Sequence, residues 1–132
     1  MALFKGKARC ILCHKGPNFI DNQFQNLGVP QAGPMKEDLG RFYVTQQEPD
    51  KGAFKTPMLR SIIETSPCMQ DGVFKTLEDA IEFLDQGRGP NAHLSPWLKP
   101  LGLTKVEKAE LLAFLNALTG EQSKFEMPAF PK

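Results

Sequence analysis

The 132-residue sequence predicts one all-α domain with a long irregular middle, and three observations lead there. Apolar residues recur at helical spacing in three stretches, near residues 1–13, from Leu77 to about Asp85, and after Thr104. Residues 15–75 show no comparable period and are broken by turns. The chain is 41% hydrophobic yet carries 11 Gly and 11 Pro, so an ordinary core must coexist with much non-repetitive backbone. A run of about sixty residues of turns inside a compact domain is uncommon. It implies that something other than protein fills part of the centre.

Taken in order, Leu3, Phe4, Ala8, Ile11 and Leu12 share a helical face, with Lys5, Lys7 and Arg9 between them. Residues 1–13 are therefore expected as an amphipathic helix running straight into Cys10 and Cys13. Turns are expected at Gly16-Pro17, Gly28-Val29-Pro30, Gly33-Pro34, Pro49-Asp50-Lys51-Gly52 and Asp71-Gly72. Ile62-Ile63 reads as either a brief helix or an extended piece. Thr76 caps a helix from Leu77 to about Asp85, with Asp79 in its first turn and Gly87 as its stop. After a Gly- and Pro-rich loop, 87–102, Thr104 and Glu107 form a capping box. The helix that follows aligns Leu111, Phe114, Leu115 and Leu118 and stops at Gly120. Residues 1–120 make the domain, and 121–132, with Pro128 and Pro131, are an extended or frayed C-terminal extension. There is no internal repeat.

Lys+Arg 16 against Asp+Glu 15 leaves a net charge of +1, which argues against a nucleic-acid binder. No apolar run approaches the length of a membrane span.

The chemistry is concentrated in Cys10-Ile11-Leu12-Cys13-His14, a C-x-x-C-H sequence and the signature of covalent c-type haem attachment. Two thiols three residues apart on a helical turn reach the two vinyl groups on one side of a porphyrin. The next residue, His14, then lies under the iron as the proximal ligand. A redox dithiol would want a strand before the motif and a helix after it. A zinc site would need two more close ligands, and only Cys68 and His93 remain, 25 residues apart. Cys68 reads as a buried free thiol, and His93 as a surface or hydrogen-bonding histidine. Attachment of haem c takes place outside the cytoplasm, so a periplasmic or similar location is expected. A leader is expected to have been removed or supplied from elsewhere, since Cys10 stands too near the start for one to precede it here, and Met1 is either a natural start or an internal residue of a longer parent.

Further landmarks extend along the chain: Ala2-Leu3-Phe4, Gly16-Pro17-Asn18-Phe19, Asp38-Leu39-Gly40-Arg41, Gly52-Ala53-Phe54-Lys55-Thr56-Pro57 with Leu59-Arg60, Asp71-Gly72, and Leu111-Leu112-Ala113-Phe114-Leu115 with Leu118-Thr119-Gly120. With them the chain resembles the C-terminal haem domain of the bacterial di-haem cytochrome c peroxidase and MauG family. The resemblance implies a class I cytochrome c-like fold with a long loop insertion wrapped around one haem, paired with a second haem domain. It also implies a calcium ion held partly by backbone carbonyls, whose positions match Thr65 and Pro67. Backbone oxygens suit that hard cation.

Three positions depart from the family pattern. Phe24-Gln25-Asn26 stands where the family reads Phe-His-Asn, and Cys68-Met69-Gln70-Asp71-Gly72 where it reads Tyr-Met-His-Asp-Gly. The family's distal iron ligand, a Met or a Tyr, aligns with Leu84, which cannot ligate iron. Either the iron is five-coordinate or another side chain substitutes, Met58 and Met69 being the candidate thioethers. Each reads first as a core filler, since Met packs irregular gaps well. A thioether ligand raises the potential and suits an electron carrier. An open iron binds small molecules, and peroxide cleavage would further want a distal proton-moving group, for which Gln25 and Gln70 are poor substitutes.

One motif for one haem favours single-electron transfer, with a redox partner protein or a second haem domain as partner. The alternative is peroxidase, MauG-like or gas-binding chemistry at an open distal site. Arg41 and Arg60 are candidate partners of the haem propionates, or else form surface ion pairs with Glu37, Asp38 or Glu64. Lys5, Lys7, Arg9 and Lys15 form either a docking face for an acidic redox partner or a solvated helix face. Trp97 is expected to pack in the loop before the last helix.

Overall fold

The structure is a computed structural model that describes residues 1–31, 37–87 and 91–121. The turn expected at Gly33-Pro34 and the tail from residue 122 onward lie outside the described residues, as do residues 88–90 of the loop 87–102. The elements run α1 (Ala2–Lys5), a 3-10 turn (Cys10–Leu12), β1 (Phe24–Gln25), α2 (Phe42–Thr45), β2 (Phe54–Lys55), a 3-10 turn (Ile62–Thr65), α3 (Leu77–Gln86) and α4 (Lys105–Asn116), with a further 3-10 turn at Glu48–Asp50. The fold is mostly helical, as expected, but it contains one small sheet. β1 and β2 pair antiparallel with Phe24 opposite Lys55 and Gln25 opposite Phe54. Two residues per strand are too few to leave a period-2 pattern in the sequence.

The expected helix over residues 1–13 is not continuous. Gly6 ends α1 after one turn, in keeping with its poor helix propensity. Ala8 N–H then reaches back five residues to the Leu3 carbonyl at 3.0 Å, and Arg9 turns left-handed at φ 52°. The winding resumes as the 3-10 turn that carries Cys10. The apolar side of the segment nevertheless stays inward: Phe4 has no exposed surface and Ala8 is buried. The Phe4 ring meets Phe19 edge-on at 5.6 Å and Phe114 of α4 at 5.1 Å. This aromatic contact joins the two ends of the described chain.

The two long helices begin as expected. Thr76 Oγ1 accepts from Asp79 N–H while the Asp79 carboxylate accepts from Thr76 N–H, and Thr104 and Glu107 repeat the arrangement. α4 ends at Asn116, four residues short of Gly120, and the chain tightens through Leu118 N–H to Leu115 and Thr119 N–H to Asn116. α3 ends at Gly87, whose φ of +64° is the left-handed cap expected there. The glycine has a second function: a Cβ would sit 2.2 Å from the Lys99 carbonyl carbon and the Pro100 nitrogen. Two further contacts hold this crossing, as Leu101 N–H donates to the Asp85 carbonyl and Leu103 N–H to the Asp85 carboxylate. Ile62-Ile63 resolves as a 3-10 turn. The core gathers Phe4, Phe19, Leu59, Leu77, Ile81, Leu103, Leu111, Leu115 and Leu118 around one side of a large internal cavity.

Candidate functional site

The cavity measures about 910 Å³, at the upper end of the range that takes large organic ligands. Cys10, Cys13 and His14 line it together. Opposite them in sequence, α3 contributes Leu77, Ala80, Ile81 and Leu84 to the wall, and α4 contributes Leu111 and Leu115. A mostly apolar space of this volume, with two thiols and an imidazole at its wall, fits the donor set and the apolar body of a c-type haem.

His14 is prepared for ligation. Its Nδ1 lies 2.9 Å from the Phe19 carbonyl, which can only accept and so favours a proton on Nδ1, and the Pro57 carbonyl also lies near the ring. Burial lowers the His14 pKa, against the opposing pull of the Phe19 carbonyl, and so favours the neutral ring. The Phe19 carbonyl is itself fixed because the Phe19 side chain is buried against Phe4 and Phe114. Burial pushes the Cys10 thiol up to about 11, and also raises Cys13, with Asp21 adding to it. Cys68 is a buried free thiol, raised likewise by burial, and it too stands in the cavity wall.

The two candidate thioethers separate. Met69 lines the cavity with φ 70°, next to Cys68 and Gln70. Met58 is 48% exposed and does not line it. Thr65 and Pro67 both stand at the wall. Among the described residues no three His, Cys, Asp or Glu side chains gather to hold a free metal ion.

Arg41 and Arg60 are not at the cavity. Arg41 pairs with Asp50 at 3.2 Å, rather than with Glu37 or Asp38, and lies over the Phe24 ring at 4.5 Å. Arg60 donates twice to the Pro17 carbonyl, at 3.0 and 2.8 Å, and lies over Phe19 at 5.1 Å. Each guanidinium follows the nearest acceptor and aromatic face, which spacing along the chain does not reveal. The cations at the wall are Arg9, Lys51, Lys55 and Lys99 instead.

The basic residues around the motif also divide. Lys7 pairs with Glu107 at 2.6 Å, and Arg9 donates to the Lys99 and Pro100 carbonyls at 3.0 and 3.2 Å. Lys5 and Lys15 are exposed. Trp97, expected to pack in the loop before the last helix, is 55% exposed and lines the cavity. Pro96, Gly102 and the other exposed residues of this loop leave it little to bury against. His93 is half-buried, with Glu48 at 4.0 Å, and it contributes to the wall.

A buried polar hub was not evident from the sequence. Asn26, only 4% exposed, donates to the Lys51 carbonyl at 2.6 Å and accepts from Gly28 N–H at 2.8 Å and Asn91 at 3.4 Å. Its carbonyl accepts from Ser95 N–H, and the buried Ser95 hydroxyl donates to Gln25 Oε1 at 2.7 Å. Gln25, read from the sequence as a lost proton carrier, is thus a strut between β1 and the 91–95 segment.

No family model matches the chain. It is 38% identical over 146 aligned positions to the cytochrome-c peroxidase IdrP1 of Pseudomonas sp. strain SCT, covering 90% of this chain and 38% of that protein. It is 36% identical to the methylamine utilization protein MauG of Methylorubrum extorquens, covering 98% of this chain and 36% of MauG. Among solved structures, a MauG-like protein associated with microbial copper homeostasis superposes with a TM-score of 0.79 at 33% identity, covering 91% of this chain and 45% of that one. The chain spans less than half the length of each.

Proposed function

The chain is a homologue of the di-haem cytochrome c peroxidases and of MauG, and from that premise we propose that it is a c-type haem domain that relays single electrons within or beside a larger redox protein. The observation that carries this reading is the His14 ring, oriented by the Phe19 carbonyl beside Cys10 and Cys13 in the wall of one large, mostly apolar cavity. Cys10 and Cys13 would bond the macrocycle and His14 would ligate its iron. A haem bound there supplies a reversible one-electron couple whose potential the protein sets through ligand and burial. The aliphatic side chains of α3 and α4 keep water from the centre, which stabilises the less charged state. Lys55 and Lys99 at the wall stand as cations for the carboxylates of the bound group. α3 turns no titratable side chain to the cavity, and Gln25 is tied to Ser95, so neither is placed to carry the protons that peroxide cleavage requires.

The partner on this reading is an acidic redox protein or the second haem domain of a longer chain. The location is periplasmic, where haem c is attached. Thr65 and Pro67 remain candidate calcium carbonyls only when such a second domain supplies the remaining oxygens. Maturation of the chain with a c-type haem-attachment system tests the proposal. One haem per chain should survive denaturation, a redox titration should follow a one-electron slope, and Cys13→Ala with His14→Ala should abolish attachment. Failure to attach haem, or steady peroxide turnover by the matured chain, would overturn it.

A further inference from the structure

We infer that His93 is a proton-binding site coupled to the electron: its ring takes up one proton from solvent as the bound group gains one electron from the redox partner, and releases it when that electron leaves. This rests on the haem reading above. With His14 assigned to the iron on that reading, His93 is the other of the two histidines in the chain. It stands half-buried in the cavity wall. Its Nε2 lies 4.0 Å from a Glu48 carboxylate oxygen, which also binds Lys51 at 2.9 Å. One buried residue fixes both sides of this contact. Asn26 donates to the Lys51 carbonyl at 2.6 Å, and accepts from the Asn91 side chain at 3.4 Å and from Ser95 N–H at 2.8 Å. His93 N–H completes the frame by donating to the Asn91 side-chain oxygen at 2.9 Å.

The charged groups around this ring are Glu48, on the exposed side, and Arg9, Glu37, Asp38, Lys51, Lys55 and Lys99 of the same cavity wall. Among these side-chain types only an unperturbed histidine changes charge between about pH 5 and 8. An electron added at the centre of a space of about 910 Å³ lies on the order of 10 Å from its wall. At an effective dielectric of about 20–40, that charge strengthens proton binding roughly fourfold to sixteenfold. Glu48 draws the proton to the same ring, and the 66% exposure of its side chain leaves a route from solvent. Linkage is reciprocal, so the proton favours the reduced state by the factor by which the electron favours the proton.

Redox titration of the matured chain at a series of pH values is the test. The midpoint potential should fall as pH rises across part of the range from about 5 to 8. The whole fall should correspond to a change of roughly fourfold to sixteenfold in the reduction equilibrium. His93→Gln should leave the optical spectrum as it is and flatten the profile. Glu48→Gln removes the attracting carboxylate and should move the fall to lower pH. A wild-type potential independent of pH, in a chain that carries covalent haem, overturns the inference alone. So does a slope that persists in His93→Gln, which assigns the proton to the carboxylates of the bound group, or a slope that Glu48→Gln leaves unmoved. A change of spin state in His93→Gln marks that ring as an iron ligand and overturns it as well. Absence of covalent haem on a denaturing gel overturns the underlying reading instead.

Discussion

Replacing Gly87 by alanine isolates the crossing on which one wall of the cavity depends. Gly87 has φ +64°, and a Cβ there meets the Lys99–Pro100 backbone at 2.2 Å. Gly102 is a matched control, with φ +63° and nothing within 4 Å of its Cβ. Both substitutions incur left-handed strain of about 1–2 kcal/mol, offset by about 0.4–1 kcal/mol from the stiffer unfolded chain. Gly102→Ala should therefore destabilise by about 1 kcal/mol. Gly87→Ala must also move the 99–103 backbone from 2.2 Å to an ordinary contact near 3.4 Å, an overpacking cost of about 1–3 kcal/mol. The total is about 2–4 kcal/mol, or a melting temperature lower by roughly 10 °C. Urea unfolding followed by far-UV circular dichroism and by the fluorescence of Trp97, the sole tryptophan, measures both variants on one scale. Equal destabilisation, within about 0.5 kcal/mol, would refute the close approach and with it the account of how residues 99–103 are held.

Two other perturbations probe the same frame. Phe4→Ala removes a ring with no exposed surface and two aromatic neighbours, and urea unfolding should show a loss of about 3–5 kcal/mol. Asp85 accepts from Leu103 N–H and from Lys108, and these contacts hold its carboxyl below its ordinary value of 3.8. A depressed folded pKa means the contribution is complete above the unfolded value and fades as pH falls through the folded one. The stability gap between wild type and Asp85→Asn should thus be constant near neutrality and shrink below about pH 4, as read from unfolding midpoints across acid buffers.

What could be read from the sequence was what is local in it. Each capping box is spelled by residues three apart, Thr76 with Asp79 and Thr104 with Glu107, and both form. The C-x-x-C-H run is five consecutive residues, and all three of its reactive side chains reach one cavity. What escaped depends on partners far along the chain. The break at Arg9 is matched by carbonyls 90 and 91 residues away, and the Gln25–Ser95 strut spans 70. Arg41 turned to Asp50 through proximity that only the fold creates. The residues lining the cavity were legible as types, but their common wall was not.

The contact between Phe4 and Phe114, with Arg9 holding Lys99 and Pro100, has a consequence for the order of events in biosynthesis. Cys10 and Cys13 precede the segments that wall them in by roughly ninety residues of chain. Contacts of such long sequence separation form late, because the loop between them must close first. Cys10 and Cys13 therefore spend the interval on an open, unburied segment, where an enzyme can reach them and where the pKa elevation imposed by burial has not yet set in. Closure of α4 onto α1 would then seal whatever had been joined to them.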